Sequence, residues 1–178
     1  MTESMTAPHV TADAVTVGPG EFRALMSGFP TGVSIVTTRD LDDRPWGMTC
    51  SAICSVSVDP PTLLVCLRRE SPTLAALLRR STFTVNLVHE HGRAAAELFA
   101  SGAADRFDRV RWTAEPGAGG PHLVDDAHAI ADCAVTRHEV VGDHSVVFGQ
   151  VFRLSPPAPV PPRPLLYGRR QFASWPAG

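Results

Sequence analysis

Apolar and polar positions alternate along this chain in short runs, and each change of spacing marks an expected element. Phe22, Leu25, Met26 and Phe29 fall at i, i+3, i+4 and i+7, the stripe of a short amphipathic helix that runs from Glu21 and ends at Pro30, with Thr31-Gly32 as a turn. Val33 to Thr38 is a β-branched run, and the charged loop Asp40 to Arg44 delivers the chain to Trp46-Gly47, which reads as a hairpin. Met48 to Val58 alternates small polar and apolar residues until Asp59-Pro60-Pro61 breaks it, and Thr62 to Leu67 resumes as an apolar strand. Ser71-Pro72-Thr73 has the N-cap and first-turn chemistry of a second helix, with Leu74, Leu77 and Leu78 on one face.

Thr82 to Val88 is a further strand, and Ala94, Ala95, Leu98 and Phe99 space a third helix over His91 to Phe99. Residues 101 to 127 are loop-like, centred on Gly117 to Pro121. Ala129 to Val141 and Ser145 to Leu154 are long β-type runs joined at Gly142-Asp143, where glycine supplies the positive φ of a two-residue hairpin turn. Pro156 to Pro164 is proline-rich and extended, and Leu165 to Trp175 reads as one closing strand. Seven or so strands, three short helices, no regular βαβ alternation and no repeat predict a mainly β domain, a closed or nearly closed antiparallel barrel over residues 20–178. Residues 1–19, small and polar, read as a disordered leader outside it.

Composition narrows the chemistry. The formal charge of −2 and the lack of a long basic run leave nothing to neutralise a phosphate backbone, so nucleic acid is not an expected partner. All 16 basic residues are arginine, which excludes a Schiff-base lysine and a P-loop and leaves phosphates to arginine, hydroxyls or backbone amides. Cys50, Cys54, Cys66 and Cys133 lie in apolar stretches without metal-ligand spacing and read as reduced, buried thiols. No apolar run is long enough to cross a membrane as a helix and no signal peptide opens the chain, so the expected location is the cytoplasm, with no membrane partner. The seven histidines show no metal spacing, and no metal is expected.

Neither a dinucleotide G-x-G-x-x-G after a strand nor a G-x-S-x-G elbow occurs, so a nicotinamide cofactor would bind outside a Rossmann fold and hydrolase chemistry recedes. Gly47 to Ser57 presents a face of small residues, which admits a flat ring to the backbone amides or marks a crowded strand or dimer contact. Ser71 and Thr73 make either a plain helix cap or a phosphate site at a helix N-terminus. Asn86, polar in an apolar strand, needs a partner, either a ligand or a structural hydrogen bond. His144, after the Gly142-Asp143 turn, is a surface histidine or an imidazole oriented by its acidic neighbour at the barrel rim.

Six stretches in order carry a resemblance: Phe29-Pro30-Thr31-Gly32-Val33, Gly47 to Ser57 with Asp59-Pro60-Pro61, Phe83 to Val88, Asp105-Arg106-Phe107, Gly142-Asp143-His144, and Pro164-Leu165-Leu166-Tyr167. From about Phe22 to Phe172 the chain resembles the flavin reductase components of two-component flavin-dependent monooxygenases, the family that includes the reductase partner of 4-hydroxyphenylacetate 3-monooxygenase. The resemblance implies an FMN-binding split β-barrel of Greek-key type, a homodimer with flavin in a groove near the subunit interface, and reduction of loosely held FAD or FMN by NADH, with NADPH as the alternative. The reduced flavin would pass to an oxygenase partner. By position, Pro30, Thr31, Gly32, Val33, Met48, Thr49, Cys50, Ser51, Ala52, Ser55, Asn86, Leu87, Val88 and Tyr167 would contact flavin, Ser71 and Thr73 would take its phosphate, and His144 would border the nicotinamide. Gly92 stands where many members carry glutamine, and Cys50 where alanine or serine is commoner. A non-catalytic flavin- or haem-binding barrel is the alternative from another class, whereas an oxidase of the pyridoxamine-phosphate type lacks its phosphate lysine here.

Overall fold

A computed structural model describes residues 17–156 and 162–176. Most of the expected leader and the centre of the proline-rich segment lie outside the described residues. In chain order the elements are α1 (Pro19–Ser27), β1 (Thr31–Gly32), β2 (Ser34–Arg39), β3 (Pro45–Cys50), β4 (Ile53–Val58), β5 (Pro61–Arg68), α2 (Pro72–Arg80), β6 (Thr82–Val88), α3 (Arg93–Ser101), a 3₁₀ turn (Arg106–Arg109), β7 (Ala127–Val141), β8 (His144–Leu154), β9 (Leu165–Gly168) and β10 (Gln171–Ser174).

Seven strands form one antiparallel sheet in the order β3-β2-β6-β7-β8-β5-β4. Its two edge strands, β3 and β4, are separated in the chain only by Ser51 and Ala52, so the sheet must curl until its edges meet. The Cys66 amide donates to the Ala52 carbonyl at 2.9 Å and fastens that seam. Register shifts at Asp132/Cys133 and Val135/Arg137 bend the long β7-β8 ribbon around the barrel. The mainly β, antiparallel barrel expected from the pattern is the observed architecture.

Two apolar clusters fill it. Val36, Val65, Leu67, Phe83, Val85 and Val147 meet Leu74 and Leu77 of α2 inside the barrel. Ile35, Val88, Phe99, Phe107, Leu123 and Leu165 form the second cluster under α3. The segment Gly119 to His122 caps the barrel end, where Thr82 and Thr37 donate hydroxyls to the carbonyls of Gly119 and Pro121 at 3.1 and 2.6 Å and the Thr84 hydroxyl lies 3.2 Å from the Gly120 carbonyl. A Cβ on Gly119 would lie 2.2 Å from the Phe83 carbonyl oxygen, so this glycine run exists for close backbone approach and not for phosphate.

Three expectations are corrected. Met48 to Val58 is not one strand: it divides at Ser51-Ala52, because there the sheet passes from one edge to the other. Leu165 to Trp175 is not one strand either but the hairpin β9-β10, turned by Arg169 and Arg170 at φ 50° and 61°, positions that glycine or asparagine usually announce. The first helix begins at Pro19 and leaves its apolar stripe in the open, with Phe22 57%, Leu25 71% and Phe29 63% exposed.

Candidate active site

Along the β3-β4 seam lie adjoining depressions. The largest, about 840 Å³, runs between β3, the N-terminus of α2 and the 3₁₀ turn, and is lined by Arg44, Trp46, Met48, Thr49, Ser71, Thr73 and Arg106 among others. Gly47 permits this arrangement: a Cβ there would come 2.9 Å from Phe99 and 3.1 Å from Phe107, so its absence lets the segment bearing Arg106 settle against β3. Arg44 stacks over the Trp46 ring at 4.7 Å, with the Arg106 guanidinium 6.0 Å from the same ring.

Three arginines, Arg44, Arg68 and Arg106, line this groove beside one carboxylate, Asp108. Arg106 is buried and gives Nη1 to the carbonyls of Ala103 and Gly102 at 2.7 and 3.3 Å, while its Nε and the Trp46 Nε1 are buried without a partner. Burial, and after it the Arg44 charge, pushes Arg106 below the usual arginine range, a cost that an anion between the two guanidiniums removes. The α2 N-terminus lines the same groove, and among the described residues the Ser71 hydroxyl donates only to the Met48 sulfur at 3.2 Å, a weak acceptor. Two buried donors without partners, in a groove that adjoins the small residues Thr49 to Ala52, are compatible with a phosphorylated heteroaromatic ligand such as flavin.

A second groove, about 550 Å³, shares Thr49, Arg68 and Ala100 with the first and adds Val33, Ser51, Tyr167 and Phe172. Tyr167 leans on Phe172 with ring centroids 5.1 Å apart. On the far side of Arg68 a polar depression opens at the Gly142-Asp143 turn. Gly142 has φ 58°, as the hairpin signal required. His144 pairs in register with Arg68, is half-buried, and its Nδ1 lies 2.8 Å from Asp143 Oδ1, a contact that holds the Asp143 carboxyl below its usual range.

The structure therefore brings Met48, Thr49, Ser71 and Thr73 to one groove, Val33, Thr49, Ser51 and Tyr167 to the next, and Thr31, Ser51, Ala52 and Tyr167 to a third cavity beyond the seam. Pro30 and Gly32 are exposed beside it, with Pro30 packed on Gly168 and Gly32 paired with Leu166.

The side chains at other expected contact positions are engaged elsewhere or face away from these grooves. Asn86 is fully buried and its amide is used up: the two Nδ2 hydrogens are shared among Ile35 O, Thr37 Oγ1 and Pro121 O, and Oδ1 accepts from the Leu123 amide at 2.8 Å. Val88 is buried in the second cluster and Leu87 packs on the first, so neither side chain reaches a groove. The Cys50 side chain turns inward, its thiol pushed up to about 11 by burial, which leaves only backbone for a ligand. Ser55 points outward on the edge strand β4. The Thr49 hydroxyl is committed to the Ala96 carbonyl at 2.6 Å. Cys133 is buried as expected, but Cys54 is exposed. Gly92 has a local reason: a Cβ there would lie 2.6 Å from the Asp126 carbonyl and 2.7 Å from Val88.

The residues the sequence reading passed over are Arg44, Trp46, Arg68 and Arg106. Their signal was the absence of lysine, which leaves arginine as the one fixed side-chain cation for a phosphate beside hydroxyls and backbone amides, together with Asp105-Arg106-Phe107 in the resemblance.

Residues 26–176 match the flavin reductase like domain, and the chain belongs to that family. It is 49% identical over 167 residues to a flavin reductase (NADPH) of Lentzea aerocolonigenes, covering 94% of this chain and 92% of the relative. It is 33% identical to the flavin-dependent monooxygenase reductase subunit HsaB of Mycobacterium tuberculosis, covering 88% and 82% of the two chains. Among solved structures it is similar to the Streptomyces globisporus NADH:FAD oxidoreductase SgcE6 in complex with NAD and FAD fragments, with TM-score 0.82, 30% identity, and 92% and 98% of the two chains covered. The chemistry of this fold and site is that of an NAD(P)H-dependent flavin reductase.

Proposed function

We propose that the 840 Å³ groove between Ser71 and Arg106 takes the flavin phosphate, that the isoalloxazine ring lies along the seam at Thr49 to Ala52, and that His144 borders the nicotinamide. The observation carrying this reading is the pair of buried, unpartnered donors, Arg106 Nε and Trp46 Nε1, sharing a groove with a helix N-terminus and joined through Thr49 to the small-residue seam. Bound there, flavin supplies the hydride acceptor and NAD(P)H the hydride. The chain's own work is to hold the two rings in register, which needs no general base. Asp143 fixes the His144 ring, so that its other nitrogen faces outward to position the nicotinamide amide.

The protein works in the cytoplasm, and its flavin is a substrate that leaves reduced for a flavin-dependent monooxygenase, because the seam at Thr49 to Ala52 offers the ring only small side chains and backbone. Val56 and Val58 of edge strand β4, 48% and 90% exposed, support burial against a second copy and hence a homodimer.

Absorbance at 340 nm under air tests the activity: NADH or NADPH is consumed only when FMN or FAD is added, and no consumption with any pair sinks the catalytic reading. Gel filtration of the purified protein leaves well under one flavin per chain; stoichiometric retention contradicts the substrate role. Replacing His144 with alanine raises the apparent KM for the dinucleotide about tenfold, the loss of roughly one hydrogen bond to a charged or polar group, with the flavin KM unmoved. Equal KM values before and after the change remove His144 from the nicotinamide site.

A further inference from the structure

Beyond the seam, a cavity of about 550 Å³ lies between α1 and the β9-β10 turn. Met26, Phe29, Ile53 and Leu64 give it apolar walls, and Arg23, Arg169 and Arg170 stand around it. All three arginines are exposed, and among the described residues none has a carboxylate within ion-pairing distance, in contrast to Arg79 on Asp40 or Arg163 on Glu90. The turn that carries two of them is held in a conformation its residues disfavour: Arg169 and Arg170 both have positive φ, at 50° and 61°. Two contacts impose it. The Arg169 amide donates to the Ser27 carbonyl at 2.6 Å, and Gly168 lets the hairpin approach Pro30, from which a Cβ would stand only 3.2 Å. Turn and α1 are thereby clamped together with the guanidiniums on the cavity's rim.

An apolar slot rimmed by three unpaired guanidiniums is suited to a heteroaromatic ring bearing a phosphate. Ser51 and Tyr167 line both this cavity and the groove at the seam, so a ligand with one ring at the seam extends into it. We propose that the cavity binds the adenosine end of the nicotinamide dinucleotide, with Arg23, Arg169 and Arg170 on a 2′-phosphate, so that the enzyme favours NADPH over NADH. This rests on the assignment of the seam to hydride transfer. The same phosphate chemistry is offered by the diphosphate of FAD, and the test separates the two.

The informative variant is Arg169→Asn with Arg170→Gly. It removes both charges while giving the turn the residue pair its backbone prefers, so its melting temperature does not fall. Isothermal titration with 2′,5′-ADP and 5′-AMP reads the site without turnover. The unaltered protein binds 2′,5′-ADP at least about tenfold tighter, and the variant binds the two nearly alike. In kinetics the ratio of kcat/KM for NADPH to that for NADH falls about tenfold in the variant. Equal binding of both probes by the unaltered protein, or a preference that survives the double change, overturns the proposal. A raised KM for FAD against FMN with the dinucleotide ratio unchanged also overturns it and assigns the cavity to the flavin. Lack of flavin-dependent oxidation with either dinucleotide would count against the reductase reading, while the titration still decides this one.

Discussion

Replacing Asp132 with alanine lowers the unfolding free energy by about 3–5 kcal/mol, the loss expected when one partner of a buried ionic network is removed. Asp132 is 1% exposed, and its carboxylate accepts from Thr84 Oγ1 at 2.6 Å, the Gly119 amide at 3.0 Å and Arg153 Nε at 2.7 Å, with His122 Nε2 2.9 Å away. Truncation strands the Gly119 amide, Arg153 Nε and His122, while the Thr84 hydroxyl can turn to the Gly120 carbonyl at 3.2 Å. Urea unfolding at neutral pH measures the effect, and a midpoint within about 0.5 kcal/mol of the unaltered protein would show that the network contributes nothing net. Asparagine, which keeps one acceptor oxygen, restores part of the loss.

The same group sets an acid limb. Burial pushes the Asp132 carboxyl up, but the bonds from His122, Thr84, Arg153 and Gly119 outweigh it and hold the pKa at about 2, below the ordinary 3.8. A folded value below the unfolded one means stability that is present above 3.8 and lost as pH falls towards 2, about 2 kcal/mol in all. The alanine variant therefore has a shallower loss of stability over that window, which thermal melts between pH 5 and 2 on the usual carboxylate scale resolve. The network matters to the site because it pins the Gly119 to His122 cap. That segment follows the 3₁₀ turn, whose Phe107 packs edge-on to Trp112 and Phe99 at 5.8 and 5.0 Å and so locates Arg106.

Local signals read true wherever the cause is local. The Gly142-Asp143 turn, the Pro72 start of α2 and the β-branched run of β2 each follow from residues a few positions apart, and each stands where the pattern placed it, to within a residue or two. Long-range causes stayed hidden. Asn86 showed only that it needed partners, and those come from Ile35, Thr37, Pro121 and Leu123, brought together by the closed barrel. Asp132 looked like one more polar position in an alternating run, because its partners are at 84, 119, 122 and 153. The turn at Arg169-Arg170 has no local signal at all: tertiary contacts to Ser27 and Pro30 impose it on residues that resist it. The groove between α2 and the 3₁₀ turn was half legible. Its helix N-terminus lay in Ser71-Pro72-Thr73, but the convergence of Arg44 and Arg106 on Trp46 depends on Gly47 admitting Phe99 and Phe107.

That convergence yields the other large effect, which falls on function. Changing Arg106 to methionine raises the apparent KM for FMN by about 10- to 100-fold, the equivalent of losing charge-assisted hydrogen bonds worth roughly 1.5–3 kcal/mol. Arg106 is buried next to another cation with an unsatisfied Nε, so it gains more from an incoming phosphate than a solvated surface arginine would. Riboflavin, which has the same ring and no phosphate, is the internal control. A phosphate-binding Arg106 predicts that its loss penalises FMN and leaves the KM for riboflavin nearly unchanged, collapsing the advantage of the phosphorylated substrate. If both flavins weaken by the same factor, Arg106 acts only through the carbonyls of Gly102 and Ala103 that it bridges, as a brace for the groove wall, and the phosphate must rest on Ser71, Thr73 and the α2 amides alone.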